Sequence, residues 1–184
     1  RGDGTVEVTG AGTPDAQLRL SVPAGTSHDA WTTNNSLRVM QAAADEDFEL
    51  EAKFASEPTQ TYQGQALIVE QDPGNYIRLD VYSDGRPLKA YSARFRNGRP
   101  SKRLSQTVAA SATTYLRMGR TGDTWTLRHS VDGTSWVTLK TFSYSMTVSS
   151  VGVFASNYNP SPAHTAVVDY LFETSAAITP EDPA

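Results

Sequence analysis

A chain of 184 residues with 16 basic and 20 acidic side chains, a formal net charge of -4 and no cysteine is long enough for one well-buried core, and it has neither a disulfide framework nor cysteine metal sites. Its opposite charges are interspersed, so no basic face is expected to neutralise a phosphate backbone, and nucleic acid is not an expected partner. No apolar run approaches the roughly 20 residues of a membrane-spanning helix, so no membrane insertion is expected.

Short alternations of apolar and polar residues recur along the chain without a sustained helical period, which predicts an all-β protein. In chain order the expected strands are Thr5–Thr9, Gln17–Val22, Leu37–Gln41, Phe48–Ala55, Gln65–Gln71, Tyr76–Ser83, Leu88–Arg96, Leu104–Val108, Thr114–Arg120, Thr124–Ser130, Trp136–Phe142, Ser150–Ser156 and Thr165–Thr174. So many strands imply a two-sheet antiparallel β-sandwich. Asp84-Gly85, Asn97-Gly98, Gly122-Asp123 and Asp132-Gly133 are turn dipeptides that tolerate positive φ and mark tight hairpins. Residues 1–175 are expected to form a single sandwich domain. Residues 176–184, rich in Ala, Pro and acid, read as a linker to a following module of a longer, multidomain protein.

The most informative strand is Asn75–Ser83. Period-two alternation buries Ile77, Leu79 and Val81 and sends Tyr76, Arg78, Asp80 and Tyr82 to the opposite, wet face. Two rings, a guanidinium fork and a carboxylate are groups that sugar-binding surfaces use, and they equally fit an ordinary solvated sheet with cross-strand pairs. The same parity in Asp47–Phe54 puts Phe48, Leu50, Ala52 and Phe54 inside and Asp47, Glu49, Glu51 and Lys53 outside. Trp125 and Trp136 fall in hydrophobic register and are expected in the core. Trp31 sits in the polar segment Ser27–Ser36, where a ring serves either as a lid on the sandwich or as a stacking platform.

Glu49 and Glu51, two apart on one strand face, are the pair that a glycoside hydrolase reading would use. Paired carboxylates are common on exposed strands, and Lys53 stands where a further acid would be expected, so no catalysis is expected. His28, His129 and His164 lack metal-ligand spacing. Asp169, within the otherwise apolar Val167–Phe172, either faces solvent or binds a structural ion at the rim.

The loop Ser27-His-Asp-Ala-Trp31, the strand Asp47–Phe54, Tyr62-Gln-Gly-Gln-Ala66, Asn75-Tyr-Ile-Arg-Leu79 and the hairpin from Gly122–Thr126 to Asp132–Trp136 together resemble concanavalin A-like lectin/glucanase domains. More narrowly they resemble a secreted bacterial branch related to the C-terminal sandwich of family 43 β-xylosidases. The resemblance covers about Gly25 to Glu173 and implies a jelly roll with a concave face, usually non-catalytic, extracellular or at the cell surface, often holding a structural calcium, and linked covalently to neighbouring domains. It carries Tyr62, Gln63, Gln65, Tyr76 and Arg78 over as concave-face candidates; Ala66 departs from the glycine that relatives commonly have.

The resulting expectation is a carbohydrate-binding module whose polysaccharide or glycan meets Trp31, Gln63, Gln65, Tyr76, Arg78, Asp80 and Tyr82, with Asn157 and Tyr158 as rim contacts. Arg78→Ala is expected to abolish binding with little effect on melting. The alternative is a structural or adhesive spacer of a large bacterial surface protein.

Overall fold

The computed structural model describes residues 3–85 and 87–178. Within them lie β1 (Thr5–Thr9), β2 (Gln17–Val22), β3 (Leu37–Ala42), β4 (Phe48–Phe54), β5 (Gly64–Asp72), β6 (Asn75–Ser83), β7 (Leu88–Arg96), β8 (Arg99–Thr107), β9 (Thr114–Thr121), β10 (Thr124–Ser130), β11 (Val137–Ser143), β12 (Ser150–Ser156) and β13 (His164–Glu173), then a 3-10 turn over Thr174–Ala176. They form two antiparallel sheets: a seven-stranded one ordered β1-β2-β13-β4-β9-β10-β11 and a six-stranded one ordered β3-β12-β5-β6-β7-β8. The expected linker lies, beyond Ile178, outside the described residues.

Alternation explains the core between the sheets. Leu50, Ala52 and Phe54 of β4 and Leu116 and Met118 of β9 face Leu67 and Val69 of β5, Ile77, Leu79 and Val81 of β6, and Val151 and Val153 of β12 in one buried cluster. Each large aliphatic so buried contributes about 1.5–3 kcal/mol. Trp125 is fully buried as expected, and its indole N–H donates to the Tyr144 carbonyl at 2.8 Å, which satisfies its only donor. Trp136 departs from expectation. It precedes β11 and packs its ring on the Arg117 guanidinium, 3.9 Å away on the outer face of the seven-stranded sheet. Gly152 is required by strand crowding, because a Cβ there would come within 2.1 Å of the Val39 carbonyl.

The strand expected from Leu104 in fact begins at Arg99. Asn97 (φ 50) and Gly98 (φ 73) close a two-residue turn that pairs Arg96 with Arg99, so the polar Arg99–Arg103 segment is held by backbone pairing rather than by burial.

A second apolar cluster lies outside the sandwich core. Ala66 and Ile68 of β5, Tyr76 of β6, Ala93 and Phe95 of β7 and Phe154 of β12 point away from the other sheet, and Ala30 covers them. Segment 27–36 therefore roofs part of the six-stranded sheet's outer face, tied to the end of β12 by a bridge between His28 and Asn157.

Candidate functional site

The roof is organised by Asp29. Its carboxylate accepts the backbone N–H groups of Trp31 (2.6 Å) and Thr32 (2.5 Å) and the hydroxyls of Thr32 and Thr33 (2.9 Å each). Burial opposes ionisation, but the backbone donors of Thr32 and Trp31 and the hydroxyls of Thr33 and Thr32 outweigh it and hold the carboxyl below its ordinary range. Because the folded state favours the ionised form, this clasp contributes fully above pH ~4 and is lost as pH falls through the depressed folded value. Asp29→Ala is expected to cost about 1–2 kcal/mol and to speed amide exchange across residues 31–36; unchanged exchange there would exclude the clasp.

Beside the roof opens a cleft of about 200 Å³, lined by Trp31, Tyr62, Tyr82, Tyr91 and Tyr158 around Arg78 and Asp80. Trp31 meets Tyr91 and Phe95 edge-on at 5.9 and 5.6 Å, and Tyr82 meets Tyr91 at 6.0 Å. Across the mouth, Tyr62 packs edge-on against Tyr158 at 5.9 Å. Trp31, Tyr62 and Tyr158 remain 39%, 43% and 44% exposed, so the rim is aromatic and wet. Desolvation first, then Asp80 and Tyr82, push the Tyr91 hydroxyl up to about 12 against the pull of Arg78, so it keeps its proton as a donor. Tyr62 holds φ 64, a left-handed conformation that is sterically costly for a bulky residue, and such outliers cluster at functional sites.

Of the residues singled out from the sequence, Trp31, Arg78, Asp80, Tyr82, Asn157 and Tyr158 converge on this cleft. Their exposure differs from expectation. Arg78 Nε and Nη2 donate to the two Asp80 oxygens, both at 2.8 Å, beneath the Tyr91 and Phe154 rings, and the Asp80 side chain is only 2% exposed. The pair forms the cleft floor rather than a free reading face. Tyr76 is withdrawn from solvent altogether: it stacks on Phe95 at 4.1 Å and donates its hydroxyl to the Ala30 carbonyl at 2.9 Å, under the roof.

Gln63 and Gln65 are buried by their own hydrogen bonds. Gln63 accepts the Thr59 and Gln60 amides (2.8 Å each) and donates to the Ala163 carbonyl, while Gln65 exchanges two 2.7 Å bonds with Ser56. Asn157 lines the cleft but is fully buried, accepting from His28 and donating to the Pro23 and Pro162 carbonyls. These amides shape the loops that carry Tyr62 and Tyr158.

Glu49 and Glu51 lie on the other sheet. Glu51 is held by Arg117 and the Tyr170 hydroxyl, both at 2.7 Å, and Glu49 by Arg128 and Arg117. Asp169 is engaged by Lys53 at 2.6 Å and by the Gln17 amide at 3.3 Å. No group of three or more His, Asp or Glu suited to a metal occurs among the described residues.

Two contributors escaped the sequence reading. Tyr91 shares the parity of Phe95 and lies opposite Asp80 in register, a signal available from alternation once β6 and β7 are paired. Asp29 precedes Trp31-Thr32-Thr33, an acceptor followed by two hydroxyls as in an Asx-type turn.

A family model described as "Protein of unknown function (DUF1349)" matches residues 14–169. No curated protein matches the chain. Among solved structures, a functionally unknown protein from Saccharomyces cerevisiae superposes with TM-score 0.66 at 16% identity, over 92% of this chain and 96% of that one. A xylan β-1,4-xylosidase from Bacillus halodurans C-125 superposes with TM-score 0.68 at 17% identity, over 85% of this chain but 32% of its own, so the chain spans about a third of that enzyme's length. The CBM2 module of the evolved Dit of Lactobacillus casei BL23 phage J-1 gives TM-score 0.53 at 6% identity, covering 89% of this chain and 71% of that one. At these identities the likeness establishes the fold alone, a two-sheet antiparallel β-sandwich shared with part of the xylosidase.

Proposed function

The chain belongs to the DUF1349 family, and we propose that it is a non-catalytic, secreted carbohydrate-binding domain of a multidomain protein whose ligand, a glycan, enters the aromatic cleft. The observation that carries the proposal is the rim: three half-exposed rings, one of them held at positive φ, standing over a floor of buried hydrogen-bonding groups. A pyranose ring has apolar faces that stack on such rings and hydroxyls that a tyrosine can bond. The cleft lies below the usual 300–1,000 Å³ of small-molecule pockets, which favours a glycan end or a single unit of a chain. The xylosidase and CBM2-module likenesses support a carbohydrate context, and the engagement of Glu49 and Glu51 in ion pairs supports a non-catalytic role.

Tyr62→Gly provides the decisive test. Glycine relieves a left-handed residue, which costs about 1–2 kcal/mol for an L side chain, so the variant should melt no lower than the parent. Binding on a glycan array and in insoluble-polysaccharide pull-downs, with and without calcium, should fall at least ten-fold. A variant that binds as well as the parent removes Tyr62 from the site. Silence of the parent across plant, algal and microbial glycans overturns the proposal in favour of a spacer or adhesive domain.

A further inference from the structure

The turn between β7 and β8 gathers what the overall charge conceals. Arg94, Arg96, Arg99, Lys102 and Arg103 supply five of the 16 cations within ten residues, and no carboxylate occurs in the sequence between Asp84 and Asp123. Among the described residues none of the five forms an ion pair with an acid. A basic face thus exists that the expectation of interspersed charge did not foresee.

Its geometry is that of a receptor. Arg94, Arg96, Asn97, Arg99 and Ser101 line a cavity of about 540 Å³. Arg96 stands directly opposite Arg99 in the ladder, a like-charge pairing that destabilises a sheet unless something neutralises it. Rings from the other sheet's edge fix the Arg94 guanidinium, 4.6 Å from the Tyr144 centroid, and that of Arg103, which stands outside the cavity's lining, 5.5 Å from Phe142. Tyr144 in turn donates to the Phe95 carbonyl at 3.4 Å, which ties this edge to the hairpin. The Nε donors of Arg94 and Arg103 are buried and find no partner among the described residues. Burial and then the neighbouring Arg94 charge lower the pKa of Arg103.

A ring-braced set of guanidiniums with unmet donors matches an oxyanion, which accepts two parallel N–H bonds per fork. We propose that this pocket binds the sulfate or carboxylate substituent of an acidic polysaccharide. The oxyanion chemistry follows from the arginines alone; the choice of a polysaccharide as its carrier rests on the glycan-binding reading, because the same hairpin supplies Tyr91 and Phe95 to the wall against Trp31.

The test uses the intact chain and two probes. Sodium sulfate, titrated against sodium chloride at matched ionic strength, is expected to raise the melting temperature saturably in the millimolar range. Dextran sulfate, but not dextran, is expected to retard the protein in affinity electrophoresis. Arg94→Gln and Arg99→Gln should each weaken both responses at least ten-fold, whereas Arg19→Gln, an equal loss of charge on β2, should leave them unchanged. Arg99 lies exposed at the turn, so its variant stands even if Arg94→Gln does not fold. Equal stabilisation by sulfate in the Arg99 variant would mark a general salt effect and overturn the site. Duplex DNA bound as tightly as dextran sulfate would overturn it in favour of a non-specific polyanion surface. Sulfate binding without dextran sulfate binding would overturn the polymeric carrier. Failure of the aromatic cleft appears separately, as loss of neutral-glycan binding with the sulfate response intact.

Discussion

Arg78→Ala is expected to lower the free energy of unfolding by about 3–5 kcal/mol, the cost of removing one partner from a buried ion pair. Asp80 is 2% exposed and takes both of its strong bonds from the Arg78 fork. Burial already pushes the Asp80 carboxyl up against the pull of Arg78, so without the guanidinium the acid either carries an unpaired buried charge or takes up a proton. The guanidinium also fills the space beneath Tyr91 and Phe154, and alanine leaves that space empty. Denaturant unfolding measures the effect, and a loss below about 1 kcal/mol would show that the pair is solvated rather than buried. The double replacement Arg78→Met with Asp80→Leu should recover most of the loss, since apolar groups of similar volume often match or exceed a buried pair. The sequence alone led to the opposite expectation, that Arg78→Ala would spare stability. Loss of glycan binding in that single variant is therefore no evidence of contact, which is why Tyr62, exposed at the rim, is the better probe.

The error has a specific origin. Alternation in Asn75–Ser83 correctly divided Ile77, Leu79 and Val81 from Tyr76, Arg78, Asp80 and Tyr82, because period two follows from strand geometry. It says nothing of what else covers the second face. Here segment 27–36 folds back over it, and the contacts that place this roof are aperiodic: the Asp29 carboxylate on Trp31, Thr32 and Thr33, and Tyr76 on the Ala30 carbonyl. Gln63 and Gln65 lie buried outside the cleft lining for a related reason, since their amides are engaged by nearby backbone groups and by Ser56. The sandwich itself was legible because strands such as β4 and β6 alternate strictly, with Leu50, Ala52 and Phe54 and Ile77, Leu79 and Val81 all on the core side. Where pairing rather than burial makes the strand, as in Arg99–Arg103 on the sheet edge, the polar sequence offered no period to read. That same segment carries the arginine pocket, so the missed half-strand and the missed charge cluster are one omission.

Stability should fall by about 3 kcal/mol between pH 6.5 and pH 4 because of His164. The residue opens β13 at 7% exposure, and its buried Nε2 has no hydrogen-bond partner among the described residues. Desolvation lowers its pKa from 6.5 to about 4, since the imidazolium has no compensating acceptor there. For a base whose folded pKa is depressed, the unfolded chain takes up a proton at a higher pH than the folded one. Between the two values the unfolded state binds more protons, so unfolding free energy rises with pH through this window and is flat above it. The depressed carboxyls, Asp29 among them, act with the same sign but only at lower pH. Burial also lowers His129, which places its contribution on the same side. Urea denaturation from pH 7.5 to 4 separates them: His164→Gln should flatten most of the slope, with the remainder belonging to His129. A parent protein equally stable at pH 7 and pH 4.5 would mean that His164 finds a proton acceptor or water when charged. A slope unchanged in His164→Gln would move its source to another group.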